Sequence, residues 1–108
     1  MTREIHVRRL AELLATDARV FLLDVREPWE FELAALPGSV LIPLGELSRR
    51  VAEVAPEAGT LVVTVCHHGV RSLGAAAILQ AEGVSQVVSL AGGIDAWSRL
   101  IDRDLRRY

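Results

Sequence analysis

Hydrophobic positions in this chain fall into two kinds of run. The first kind is short, continuous and rich in β-branched residues: Val20–Val25 (interrupted only by Asp24), Val40–Ile42, Leu61–Val65 and Val87–Leu90. Runs of strand length without alternation suit strands covered on both faces, which is the pattern of a parallel sheet. The second kind repeats at helical spacing. Val7, Leu10, Ala11 and Leu14 predict a helix over 7–15, and Leu44, Leu47, Val51 and Val54 another over 44–54. Ile94, Trp97 and Ile101 predict a last helix running towards an Arg-rich end at 101–108. Pro28 suits a first helical turn and Glu27 and Glu30 its positive end, so 27–33 reads as a short helix. Residues 71–82 read as helical with Gly83 as the cap. Glu4–Val7 is a candidate edge strand, and Pro43 stops the strand before it.

Strands alternating with helices over short connections predict an α/β domain with a central, mainly parallel sheet. The 108 residues suit one domain, and 51% hydrophobic residues spread along the whole chain argue against disorder. No run approaches the ~20 apolar residues of a membrane span, so the expectation is a cytoplasmic protein without a membrane partner. A net charge of −2 gives no electrostatic case for nucleic acid. All twelve basic residues are arginine, which excludes a lysine Schiff base or a Walker-type phosphate loop. The single cysteine, Cys66, fits a reducing compartment and leaves no resolving partner within the chain.

Ligands of such sheets sit outside the carboxyl ends of the strands. Three features fall there: Asp24–Val25–Arg26, Cys66–Arg71 and Ala91–Gly93. Cys66 ends a strand, before a short loop and a helix, so backbone N–H groups should converge on its sulfur and favour a thiolate nucleophile. Arg71 opens that helix, where a cation opposes the dipole unless an anion lies between. His67 and His68 are candidate proton donors or loop linings; being adjacent, at most one is expected to face a ligand. Cys66, His67 and His68 are too close together to hold one metal ion well, so neither a metal nor a cofactor is expected. Asp24 and Arg26 read as an ion pair fixing the loops, Gly92 and Gly93 as a sharp strand-to-helix turn, and Trp97 as core.

Asp24–Val25–Arg26–Glu27, Leu36–Pro37–Gly38, Ile42–Pro43–Leu44, Cys66–His67–His68–Gly69–Val70–Arg71–Ser72 and Ala91–Gly92–Gly93–Ile94 with Trp97 together resemble the single-domain rhodanese family, in the right order over about residues 4–100. The resemblance implies a three-layer α/β fold, with a parallel five-stranded sheet and helices on both faces. It also implies a sulfurtransferase. Cys66 would take sulfane sulfur from a donor such as thiosulfate and pass it, as a persulfide, to cyanide or a thiol. Backbone N–H groups over Gly69, Val70, Arg71 and Ser72 would cradle the persulfide, and Arg71 would bind the donor anion. The family commonly has Gly-His-Ile where this chain has Ala34–Ala35–Leu36.

The neighbouring alternative, a cysteine-dependent phosphatase or arsenate reductase, holds phosphate in a Cys-x5-Arg loop. Here only four residues separate Cys66 from Arg71, a tighter ring that favours sulfur. A second alternative is a persulfide relay serving a protein partner, such as a cysteine desulfurase or a thiol carrier. Arg103, Arg106 and Arg107 would then be candidates to dock it, against the plainer reading of a solvated helix end.

Overall fold

A computed structural model describes residues 3–108. Five strands form one wholly parallel sheet: β1 (Glu4–Ile5), β2 (Val20–Asp24), β3 (Val40–Leu41), β4 (Leu61–Val65) and β5 (Val87–Leu90). Their spatial order is β1-β5-β4-β2-β3. The two longest runs lie side by side at the centre, with Leu22 opposite Val63 and Asp24 opposite Val65. Pairing of both central strands on both sides is what lets them be apolar on both faces.

Side chains alternate along each strand, so the sheet divides the core in two. Leu22, Val63, Val65, Val88 and Leu90 pack with Val7 and Leu10 of helix α1 (Val7–Leu14) and with Ile94 and Trp97 of α5 (Gly93–Leu100). Leu23, Val25, Val62 and Val87 pack with Leu47 of α3 (Leu44–Arg50) and with Ala75, Ala76 and Leu79 of α4 (Arg71–Ala81). The remaining helix, α2 (Pro28–Leu33), follows β2 at its carboxyl end. Each fully buried Leu or Val contributes on the order of 1.5–3 kcal/mol. Cys66 has the parity of Val62 and so lies on the α4 side.

Local signals account for the element ends. The backbone N–H of Glu27 donates to the Glu30 carboxylate (3.0 Å) at the start of α2. Gly83 takes a φ of +95° at the end of α4, where the Val84 N–H reaches back to the Leu79 carbonyl.

Two expectations are corrected. The helix expected over 44–54 stops at Arg50 and tightens into a 3-10 turn over Val51–Glu53. Val54, just past that turn, is buried in the core at 3% exposure. The Arg-rich end at 101–108 is not a helix end in solvent. The Asp102 N–H bonds the Trp97 carbonyl and the chain then turns, because Ile101, Leu105 and Tyr108 pack onto the α1/α5 core. Arg103, Arg106 and Arg107 are left exposed.

Candidate active site at the carboxyl edge of the sheet

The carboxyl ends of β2, β4 and β5 meet around Cys66, which is 1% exposed. Its sulfur accepts hydrogen bonds from the backbone N–H groups of Gly69 (3.1 Å) and Ser72 (3.3 Å), and the thiol donates to Ser72 Oγ (3.4 Å). Of the N–H groups expected over Gly69–Ser72, those of Gly69 and Ser72 reach the sulfur. Two N–H dipoles aimed at one sulfur stabilise negative charge there. Behind it lies a buried polar column: Ser72 Oγ pairs with Ser89 Oγ (2.6 Å), and Thr64 Oγ1 donates to the Ser72 carbonyl (2.8 Å).

Two glycines let the turns close. Gly69 has φ +97°, and a Cβ there would sit 2.9 Å from the Gly92 nitrogen. Gly93 has φ +59°, and a Cβ there would collide with the carbonyl oxygens of Cys66 and His67. That close approach brings the first N–H groups of α5 onto the loop: Ile94 donates to the Cys66 carbonyl (2.9 Å) and Asp95 to that of His67 (3.0 Å). Gly92, at φ +75°, completes the strand-to-helix turn.

Asp24 and Arg26 are both fully buried, with Arg26 Nη2 2.6 Å from Asp24 Oδ2. The same guanidinium donates to the carbonyl of Ala34 (2.6 Å) and to the hydroxyl of Tyr108 (2.7 Å). Burial works against the Arg26 charge, but the hydrogen bonds to Asp24 and Tyr108 outweigh it and raise its pKa. Arg26 thus ties β2, the segment after α2 and residues 101–108 into one support.

The anion that Arg71 requires is Glu30, whose sequence context explains it only as a helix-start acid. The two form a bidentate pair at 2.7 and 2.9 Å, with the carboxylate 3% exposed. Hydrogen bonding to Arg71 overcomes burial and lowers the Glu30 pKa to about 2, with lesser help from the Glu27 N–H and Tyr108. The same pairing raises that of Arg71. The partners lie 41 positions apart, so no local pattern could have joined them.

His67 and His68 do not diverge as expected. Their rings stack at 3.9 Å, and Tyr108 stacks on His67 at 4.1 Å. The loop bends at these residues, so the alternation of an extended strand does not apply. Burial, and then the neighbouring His68, lower the His67 pKa, which favours a neutral ring. Asp95 joins these imidazoles in a group whose ligand atoms lie within 4.8 Å of one another, a grouping that replaces the Cys66, His67 and His68 set considered from sequence. The Asp95 carboxylate also accepts from Arg99 Nε (3.1 Å). Val70, at the lip of the loop, is 75% exposed. A cleft of about 380 Å³ lies elsewhere, at the opposite edge of the sheet between Val51, Pro56 and Gly83, away from the cysteine.

A family model described as the rhodanese-like domain matches residues 6–100. The chain belongs to the rhodanese-like family. It is 34% identical over 99 residues to a sulfurtransferase of Allochromatium vinosum, covering 92% of this chain and 91% of that one. It is 29% identical over 105 residues to the thiosulfate sulfurtransferase GlpE of Pseudoalteromonas translucida, covering 97% of each. The crystal structure of a rhodanese-like domain protein from Staphylococcus aureus superposes with a TM-score of 0.82 at 26% identity, over 99% of each chain. The rhodanese-like match spans all three loops of the site, from Asp24 to Gly93.

Proposed function

We propose that this rhodanese-like domain is a sulfurtransferase that moves sulfane sulfur through a persulfide on Cys66. The observation that carries the reading is the Cys66 sulfur held by the Gly69 and Ser72 N–H groups in a loop only six residues long. The likeness to the A. vinosum and P. translucida sulfurtransferases supports it.

The Cys66 thiolate attacks the sulfane sulfur of thiosulfate. The Cys66 Sγ–S bond forms, the S–S bond of thiosulfate breaks, and sulfite leaves with the bonding electron pair. The persulfide's terminal sulfur then carries the negative charge, and N–H groups of the loop, with those of Gly69 and Ser72 already on the Cys66 sulfur, would hold it. Cyanide or a thiolate next takes that sulfur as thiocyanate or a persulfide, and the Cys66 thiolate returns. Two half-reactions through one covalent intermediate give ping-pong kinetics. Glu30 occupies one edge of the Arg71 fork, and that guanidinium is 36% exposed. Its remaining N–H groups can bind the anionic end of the donor. Asp24, Arg26, Gly92 and Gly93 hold the loops, and His67 and His68 line the mouth. A protein donor or acceptor, such as a cysteine desulfurase or a thiol carrier, would use the same persulfide, with exposed Val70 at the point of contact.

Mass spectrometry after incubation with thiosulfate should show one added sulfur atom on the protein. The adduct should be lost on addition of cyanide and absent in Cys66→Ser. No adduct with thiosulfate or with a cysteine desulfurase would sink the proposal. Hydrolysis of an aryl phosphate would favour the phosphatase alternative instead.

A further inference from the structure

Tyr108 is not part of any motif that marked the site, yet it touches three of the groups that build it. Its hydroxyl accepts from Arg26 Nη1 (2.7 Å) and donates to Glu30 Oε2 (2.9 Å). Its ring stacks on His67 at 4.1 Å and meets Trp29 edge-on at 6.0 Å. Burial raises the Tyr108 pKa to about 12, so the hydroxyl keeps its proton and its donor role. A continuous chain therefore runs Arg26–Tyr108–Glu30–Arg71, from the fully buried guanidinium to the cation at the cradle. Glu30 is held from the far side by Tyr108 and the Glu27 N–H, and from the near side by Arg71.

We infer that Tyr108 is a positioning residue for anion capture at Cys66: it fixes the Glu30 carboxylate, and through it the direction in which Arg71 offers its free N–H groups to an incoming anion. The inference rests on the anion-binding role given to Arg71 in the sulfur-transfer reading. An Arg fork anchored along one edge keeps a rigid donor array on the others, whereas a fork on a loose carboxylate loses that geometry. The segment 101–108 thereby becomes part of the site although it contributes no atom to the reaction. Its ring and its hydroxyl also have separable duties, because the stack on His67 survives removal of the oxygen.

The test compares alkylation of Cys66, the sole cysteine, by anionic iodoacetate and neutral iodoacetamide in the whole chain. The ratio of the two rates reads anion capture without requiring sulfur transfer. Tyr108→Phe keeps the ring and removes the hydroxyl; it should lower the ratio roughly three- to tenfold, less than the full worth of one hydrogen bond to a charged group because the effect reaches the anion only through Glu30 and Arg71. Arg71→Ala should lower it at least as far. In steady state the KM for thiosulfate should rise by a similar factor in Tyr108→Phe while the KM for cyanide holds, a split that general destabilisation does not produce. An unchanged ratio in Tyr108→Phe would overturn the inference, whatever happens to thermal stability. So would an unchanged ratio in Arg71→Ala, or a Cys66 that neither reagent reaches. If persulfide never forms but the ratio falls as stated, the sulfur-transfer reading fails and the positioning role stands.

Discussion

Replacing Glu30 by Gln separates charge from shape in the Glu30–Arg71 pair. The amide matches the size of the carboxyl and can still accept from Tyr108 and Arg71, but it has no charge. Glu30 is 3% exposed, and pairing with Arg71 takes its pKa from 4.5 to about 2. A depression of that size corresponds to about 3 kcal/mol of stability when the group is fully ionised. Arg71 is 36% exposed, so water compensates much of what it loses, and Glu30→Gln should cost about 2 kcal/mol at pH 7. In thermal unfolding that is a fall of roughly 10 °C for a domain of this size. The pH dependence is the sharper readout. A carboxyl with a lowered folded pKa gives its full stability above pH 4.5 and loses it as the pH drops through about 2. Gln resembles the protonated acid, so the gap between wild type and variant should shrink by more than half, on the order of 1 kcal/mol, between pH 7 and pH 3. Urea unfolding at a series of pH values measures it. A gap that stays constant with pH would refute the assignment of this energy to the ion pair and give it to packing.

Ser72→Ala should destabilise the fold by about 1–3 kcal/mol, because fully buried Ser89 loses the partner 2.6 Å away. The double variant Ser72→Ala/Ser89→Ala should recover most of that in chemical denaturation, and an additive loss would contradict the pairing. Gly93→Ala should cost about 3 kcal/mol or more, since its Cβ meets the Cys66 and His67 carbonyls at a φ of +59°; near-native melting would show that α5 can yield. Gly69→Ala should slow persulfide formation more than His67→Ala does, on the order of tenfold against less than threefold, because a Cβ 2.9 Å from the Gly92 nitrogen would push the residue-69 N–H out of line with the sulfur. Stopped single-turnover assays with thiosulfate rank the two, and the reverse order would place the sulfur's stabilisation on the imidazole.

The sheet could be read in advance because its central strands carry apolar runs without polar alternation, broken only by Asp24 and Thr64, as suits strands covered on both faces. Cys66 and its N–H cradle were legible too, since strand, loop and helix follow one another in the chain and local geometry sets where the sulfur lies. What sequence did not reveal were the contacts between distant segments. Glu30 carried a sufficient local explanation as a helix-start acid, which hid its pairing with a residue 41 positions away. Arg71 did leave a trace: a cation at a helix start required an anion. Tyr108 left none, because one aromatic amid arginines and aspartates does not show which way the backbone turns. The turn follows from Leu105 and Tyr108 both finding the α1/α5 core, a property of the assembled surface. Likewise, the stacked imidazoles depend on Tyr108 closing over His67 from the other side.

These distant contacts change where the electrostatics of the site reside. Each cation near Cys66 has an intramolecular counterion: Asp24 for Arg26 and Glu30 for Arg71. The His67 ring favours the neutral state under burial and beside His68. Side-chain charge around the sulfur therefore largely cancels before any substrate arrives. The uncancelled dipoles aimed at the sulfur are the Gly69 and Ser72 N–H groups. Backbone dipoles need no counterion and lose little entropy on binding, because the loop already holds them in place. A site built this way stabilises one extra negative atom next to Cys66 without presenting a strong field to every anion in solution. That is the requirement of a persulfide carrier: the charge to be held sits on a single sulfur covalently attached at the centre of the cradle. Enclosing a phosphate within the loop would need a wider ring than the four residues between Cys66 and Arg71 allow.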